Sequence, residues 1–188
     1  MEIYKLIYKK ENNVKNVRIL GETFMKNNRN KGVLIINNRK FHLKDKVSVN
    51  NINEDIIKIK MILNRYTCNF SCMFRDCTNL EEAPELPATT LELGCYSGMF
   101  RGCTSIEESP VLPATTLVGS CYNNMFRSCS SLSRITAMFT TTPGTTYTNG
   151  WVNGVAASGI FIKNAAATWT TTGVNGVPTG WTVQTASE

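Results

Sequence analysis

Met73-Phe74-Arg75-Asp76-Cys77-Thr78 returns as Met99-Phe100-Arg101-Gly102-Cys103-Thr104 and again as Met125-Phe126-Arg127-Ser128-Cys129-Ser130, each copy 26 residues after the last. A fixed period in this range denotes stacked supersecondary units, because one such unit cannot bury its apolar face alone. The repetition extends outward from this core. Leu80, Ile106 and Leu132 follow the Met by the same distance, and Phe70, Tyr96 and Tyr122 precede it. Aromatic, Met and Cys thus fall at spacings of three and four, which predicts one face of a short helix.

A second block follows in the first two copies. Leu86-Pro87-Ala88-Thr89-Thr90-Leu91 returns unchanged as Leu112-Pro113-Ala114-Thr115-Thr116-Leu117, preceded by Pro84 and Pro110. Prolines at such close spacing exclude a helix and leave room for a short extended run. Each unit is therefore expected to be a helical turn, a polar turn and a brief extended segment. In the third copy Thr136 replaces the first proline and Phe139 the second. A terminal unit has no further neighbour and must change to close the stack, so this copy reads as the end of the array.

These residues resemble the BspA-like leucine-rich repeats of bacterial surface proteins. The shared pattern is Cys-Tyr-x-x-Met-Phe-x-x-Cys-x-x-Leu followed by Leu-Pro-Ala-Thr-Thr-Leu. The tail is similar to the segment that ends such arrays in gut Bacteroidales proteins and their phages, through Trp151 to Ala156, Gly159 to Asn164, Trp169 and Gly176 to Val183. The resemblance spans roughly residues 68–188, and residues 1–64 more weakly resemble a β-rich leader. It implies adhesion and recognition, with a protein or surface glycan as partner, and no catalysis or cofactor. The expected fold is α+β. A small basic β-rich domain (1–64) precedes a short three-repeat leucine-rich-type solenoid (65–142) and a Trp-rich cap (143–188).

Length suits one or two domains with a real core. No run approaches the ~18 consecutive apolar residues of a membrane helix. Met1 to Lys10 lacks the apolar run of a secretory signal. With the resemblance, this points to an extracellular or virion-associated protein with no signal peptide in this chain: either a signal has been removed, as from a free bacterial surface adhesin, or the protein never uses that route, as a phage component released by lysis would not.

The charge is uneven: residues 1–66 hold 15 Lys and Arg against 6 Asp and Glu, and the remainder 5 against 8. A basic half can meet nucleic acid, an anionic membrane or an acidic scaffold, but it is more often a solvated face. No nucleic-acid motif accompanies it, so no specific nucleic-acid partner is expected.

The 7 cysteines are placed regularly. Cys77, Cys103 and Cys129 form one column and Cys95 and Cys121 another, which suits buried thiols acting as small hydrophobes. Disulfides between copies stay open, because strand spacing of ~4.8 Å overlaps the separation a bridge tolerates. A metal site from Cys68, Cys72 and Cys77 lacks a fourth ligand, and none is expected.

Before the repeats, Ile3 to Tyr8 alternates, Val14 to Leu20 could follow it after a turn, and Gly32 to Ile36 with Phe41 to Leu43 predicts a hairpin about Asn37-Asn38. Ile56 to Ile62 is expected as a last strand that pairs with the first repeat and shields its edge. After the repeats, Trp151 is expected on a helical turn, Ile160 to Ile162 and Trp181 to Val183 on strands. The rings, Trp151 and Trp181 above all, either close the array or offer a glycan platform.

Chemistry is not expected. His42, the single histidine, stands alone in a predicted strand with no partners for a nucleophilic site. Glu81-Glu82 and Glu107-Glu108 recur at the repeat period and form a ladder rather than a catalytic pair. Arg75, Arg101 and Arg127 form a second ladder that could meet a repeating anion or an acidic protein edge. Its plainer role is to cover the stack and pair with the Glu ladder. Phe74, Phe100 and Phe126, with the Cys77 column, are expected to be structural.

Overall fold

In the repeated segments the backbone divides its hydrogen bonds by turns. The structure, a computed structural model, describes residues 2–9, 20–28, 32–36, 39–42, 56–63 and 70–186. In the second copy Ser97, Met99, Arg101 and Cys103 donate their N–H groups three residues back, to Gly94, Tyr96, Gly98 and Phe100, at 3.0–3.2 Å. The residues between them donate forward by 25 residues instead. Gly94, Tyr96, Gly98, Phe100 and Gly102 reach the carbonyls of Gly119, Cys121, Asn123, Met125 and Arg127 at 2.7–3.1 Å. Every backbone donor in the run is thus satisfied, half by its own turn and half by the next copy.

This is a chain of tight turns, and the expected helix is absent. Left-handed backbone recurs every fourth residue, at Cys72 and Asp76, Gly98 and Gly102, and Asn124 and Ser128, with φ between 52° and 77°. A helix cannot continue through such residues, and the positions hold Gly, Asn, Asp and Ser, with Cys72 the least suited to that conformation. The three- and four-residue spacing still delivers one buried face. Met73, Phe74 and Cys77 and their counterparts are at most 1% exposed.

Aromatic rings stack along the copies. Phe74, Phe100 and Phe126 lie 5.5 and 5.7 Å apart with planes within 11° of parallel, and Tyr96 on Tyr122 follows at 6.2 Å. Each such pair is worth about 0.5–1.5 kcal/mol beyond its buried area.

The third copy does not end the array. Ser120, Tyr122, Asn124, Phe126 and Ser128 donate to Thr146, Tyr147, Asn149, Trp151 and Asn153, so residues 144–155 form a further turn run with left-handed Gly150 and Gly154. Trp151 therefore lies on such a turn, not on a helix. Loss of the prolines has the opposite meaning from closure. Proline supplies no N–H to a ladder. The third copy's extended segment, free of it, becomes strand β6 (Arg134–Ala137), parallel to β7 (Ile160–Lys163), which is parallel to β8 (Thr182–Thr185). Phe139, in place of the second proline, is fully buried.

Ahead of the repeats, β1 (Glu2–Lys9), β2 (Gly32–Ile36), β3 (Arg39–His42) and β4 (Ile56–Leu63) join β5 (Leu80–Glu82) in one sheet of order β3-β2-β4-β1-β5. The hairpin of β2 and β3 is present with Ile36 opposite Arg39. Asn37-Asn38, Leu43 and Val14 to Ile19 lie outside the described residues. The strand that meets the first repeat is β1 and not the last strand β4: Ile7 faces Glu82 and Tyr8 faces Leu80. The turn side is covered separately. A short helix, α1 (Glu22–Asn27), seats Phe24 at 0% exposure, and Gly21 donates to Met73 at 2.9 Å. Among the described residues the fold is thus mixed or β-rich, with few helical residues and a small parallel sheet. Among the described residues, no helix is long and apolar enough to cross a membrane.

Candidate functional site

The turn runs hold Arg75, Arg101 and Arg127 at one repeated position, each half-buried. The carbonyls of Arg101 and Arg127 are fixed from copy to copy: Asp76 donates to Arg101 at 2.7 Å and Gly102 to Arg127 at 2.8 Å. The side chains take local partners. Arg75 Nε lies 3.6 Å from Asp76 Oδ2 and is shielded from water, and Arg127 donates to Asn124 Oδ1 at 3.3 Å. The expected pairing of this column with the Glu ladder is not what these contacts show. Between described residues, Glu108 of that ladder pairs with Arg134 at 3.9 Å.

Glu81, Glu82, Glu107 and Glu108 line a groove of about 590 Å³ on the extended side, together with Ala83, Ser105, Ser109 and Pro110. Glu82, Glu107 and Glu108 are exposed. Sequence reading placed these residues in a surface ladder and gave no sign of a groove, because the gap arises from strand pairing elsewhere.

The described cysteines are free thiols, with Cys77, Cys103, Cys121 and Cys129 buried and Cys72 and Cys95 half-buried; Cys68 lies outside the described residues. Two of them tie copies together: Cys103 Sγ donates to the Phe74 carbonyl at 2.9 Å and Cys129 Sγ to that of Phe100 at 3.0 Å. Burial pushes Cys121 up to about 11 and Cys129 up to about 12. Cys103 lies well above the ordinary value through burial first and its column neighbours second, and Cys95 is raised, mainly by burial. Such thiols are poor nucleophiles and poor ligands at neutral pH, since the thiolate is the reactive form.

A pH dependence follows. A thiol whose folded pKa exceeds its unfolded value of 9.0 contributes stability that is complete below that value and lost as pH rises through the folded pKa. The unfolded state then carries fewer protons than the native one, and stability falls with pH. Urea denaturation in reductant should give a constant unfolding free energy from pH 7 to 8, then a decline toward pH 11 steeper than one proton per molecule. A flat profile through pH 11 would remove the thiol columns from the stability argument.

The three tryptophans close the far end. Trp151 is fully buried, and Trp169 and Trp181 are 5% and 7% exposed. Each indole donates to a backbone carbonyl: Trp151 to Gly176 at 2.9 Å, Trp169 to Phe139 at 3.1 Å and Trp181 to Ala156 at 2.8 Å. Lys163 Nζ covers the Trp169 ring at 5.0 Å. These rings are core, and a sugar could not stack on them.

No family model, no curated protein and no solved structure matches this chain. The functional reading therefore rests on the chain's own geometry and residues.

Proposed function

We propose that the chain is a non-enzymatic attachment protein of the BspA-like leucine-rich-repeat kind. In this reading a solenoid that begins with the three copies (65–142) and runs on through the turn run of 144–155 follows a basic leader (1–64) and is closed by the Trp-containing remainder of residues 143–188. The turn side contacts a cell-surface protein or an acidic glycan, and the leader ties the molecule to a larger assembly such as a phage virion, outside the cell.

The observation that carries this is the arginine column. Arg75, Arg101 and Arg127 repeat at one position of turn runs whose backbones are hydrogen-bonded in register. A regular row of guanidinium groups suits a repeating carboxylate or sulfate, and Arg presents its donors in a fixed fork. Burial of the tryptophans directs the reading away from aromatic sugar stacking and toward charge.

The test compares the full chain with the Arg75→Glu, Arg101→Glu, Arg127→Glu triple variant for binding to intact Bacteroidales cells and to acidic polysaccharides. The expected result is at least about tenfold weaker binding by the variant and a steep loss of wild-type binding with added salt. Equal binding by a folded variant would remove the column from the interface.

A second reading, a structural or decoration subunit, is favoured by the local partners of Arg75 and Arg127. Such contacts hold these side chains against their own surface. Incorporation into purified particles, with no cell binding, would select that reading.

A further inference from the structure

Asn-Gly occurs three times in the chain, at Asn149-Gly150, Asn153-Gly154 and Asn175-Gly176, and all three pairs lie among the described residues. This dipeptide has a chemistry of its own. The glycine nitrogen, uncrowded by a side chain, can attack the side-chain amide carbon of the asparagine before it, which is why Asn is thermolabile. The attack needs a nitrogen that can give up its hydrogen and a side chain free to fold back on it. A hydrogen bond at either group opposes it, because the segment must first open locally.

The three pairs differ in both respects. Gly150 donates its N–H to Asn175 Oδ1 at 2.7 Å, so one contact holds the nitrogen of the first pair and the side chain of the third. Gly176 is buried, with its N–H given to Gly173 at 3.1 Å and its carbonyl taken by the Trp151 indole at 2.9 Å. The Asn175 carbonyl accepts from Thr148 Oγ1 at 2.8 Å. By contrast, Asn153 and Gly154 are both exposed. Among the described residues, no acceptor takes the Gly154 N–H and no hydrogen bond holds the Asn153 side chain.

Asn153 also has a place in the arginine column. It follows Arg127 by the same 26 residues that separate Arg75, Arg101 and Arg127. Ser128 donates to its carbonyl at 2.7 Å, as Gly102 does to that of Arg127. Asn153 is thus the next rung.

We propose that Asn153 is a site of spontaneous modification, converted to aspartate or isoaspartate, which sets a carboxylate on the rung beside Arg127. The Gly154 nitrogen loses its proton and bonds to Asn153 Cγ, the Cγ–Nδ2 bond breaks, and ammonia leaves carrying the equivalent of that proton. Water then opens the cyclic imide at either carbonyl, and the acid formed ionises. One water is consumed, and a neutral amide becomes a negative charge. On the attachment reading, on which this consequence rests, that charge repels an anionic partner at the end of the arginine row.

The experiment incubates the full-length protein in mildly alkaline buffer with reductant, folded and in denaturant, and follows each pair by peptide mass mapping with an isoaspartate assay. Unfolded, the three pairs are expected to convert at similar rates. Folded, Asn153 should convert at least about tenfold faster than Asn149 or Asn175, and Asn153→Gln should gain no charge at that position. Equal conversion of Asn149 or Asn175 in the folded protein, or none at Asn153 where the unfolded chain converts, would overturn the proposal. These readouts use no partner, so they stand or fall apart from the attachment reading. For the consequence, Asn153→Asp should bind acidic polysaccharide about two- to fivefold more weakly than Asn153→Gln. Equal binding by the two would overturn the effect on attachment.

Discussion

Trp151→Ala is expected to cost about 3–5 kcal/mol of stability, a large share of the ~5–15 kcal/mol that holds an ordinary domain together. The ring is fully buried and touches four others: Tyr122 at 6.4 Å, Phe126 at 6.1 Å, Phe139 at 5.8 Å and Phe161 at 6.1 Å. It therefore joins the stacked repeats to the strands that follow. Truncation leaves a cavity among these rings and strips the Gly176 carbonyl of its indole donor, two costs with one cause. The melting temperature should fall by roughly 6–20 °C for a chain of this size, with a smaller fall for Trp151→Phe. A change within 2 °C, read by far-ultraviolet circular dichroism, would place the closing contacts elsewhere.

Gly159→Ala should be nearly as damaging although only one methyl is added. A β-carbon there would lie 2.2 Å from the Ser133 carbonyl oxygen and 2.9 Å from both its carbon and Trp181 Cε2. Backbone cannot step aside cheaply. Ser133 accepts from Ile160 at 2.8 Å, and Gly159 accepts from Thr182 at 2.9 Å, so a displaced residue 159 disturbs β6, β7 and β8 at once. The expected loss is about 2–4 kcal/mol, at the upper end of overpacking costs. Gly144→Ala is the matched control, because nothing lies within 4 Å of its would-be β-carbon; it should be neutral or stabilise by up to ~1 kcal/mol. Equal melting of the two variants would sink the close-approach argument.

Much of this was legible in the sequence. Columns of Met, Phe, Cys and Leu are buried where the period places them, since a repeated apolar position must meet its own copies. The β2–β3 hairpin followed from β-branched runs about two asparagines. The local conformation of the repeat was not legible from apolar spacing, because a chain of turns and a helix can both bury residues three and four apart. The signal that separates them lay in Gly98, Gly102, Asn124 and Ser128, residues suited to left-handed backbone at four-residue intervals. That same signal in Gly150 and Gly154 marked the further turn run. It was hidden because Trp151 and Val152 replaced the Met-Phe pair. Phe24 and β1, which cover the first copy, lie far from it in sequence, and no local pattern announces such a meeting. For the candidate site, the Arg and Glu columns were visible as columns. Their partners were not, since Asp76, Asn124 and Arg134 are set by side-chain reach.

Among the described residues, the backbone–backbone bonds between turn runs all point one way. Gly21 donates to Met73, Phe74 to Met99, Phe100 to Met125 and Phe126 to Trp151, and the bonds that return use a side chain, as from Cys103 Sγ to Phe74 and Cys129 Sγ to Phe100. Aligned peptide groups add their dipoles, as they do along a helix. The stack is therefore electrically polar along its axis, with carbonyl oxygens toward its first copy and amide hydrogens toward its last. Positive charge is favoured at the first end and negative charge at the other. In sequence the charges are ordered the same way, 15 cationic against 6 anionic side chains before residue 67 and 5 against 8 after it.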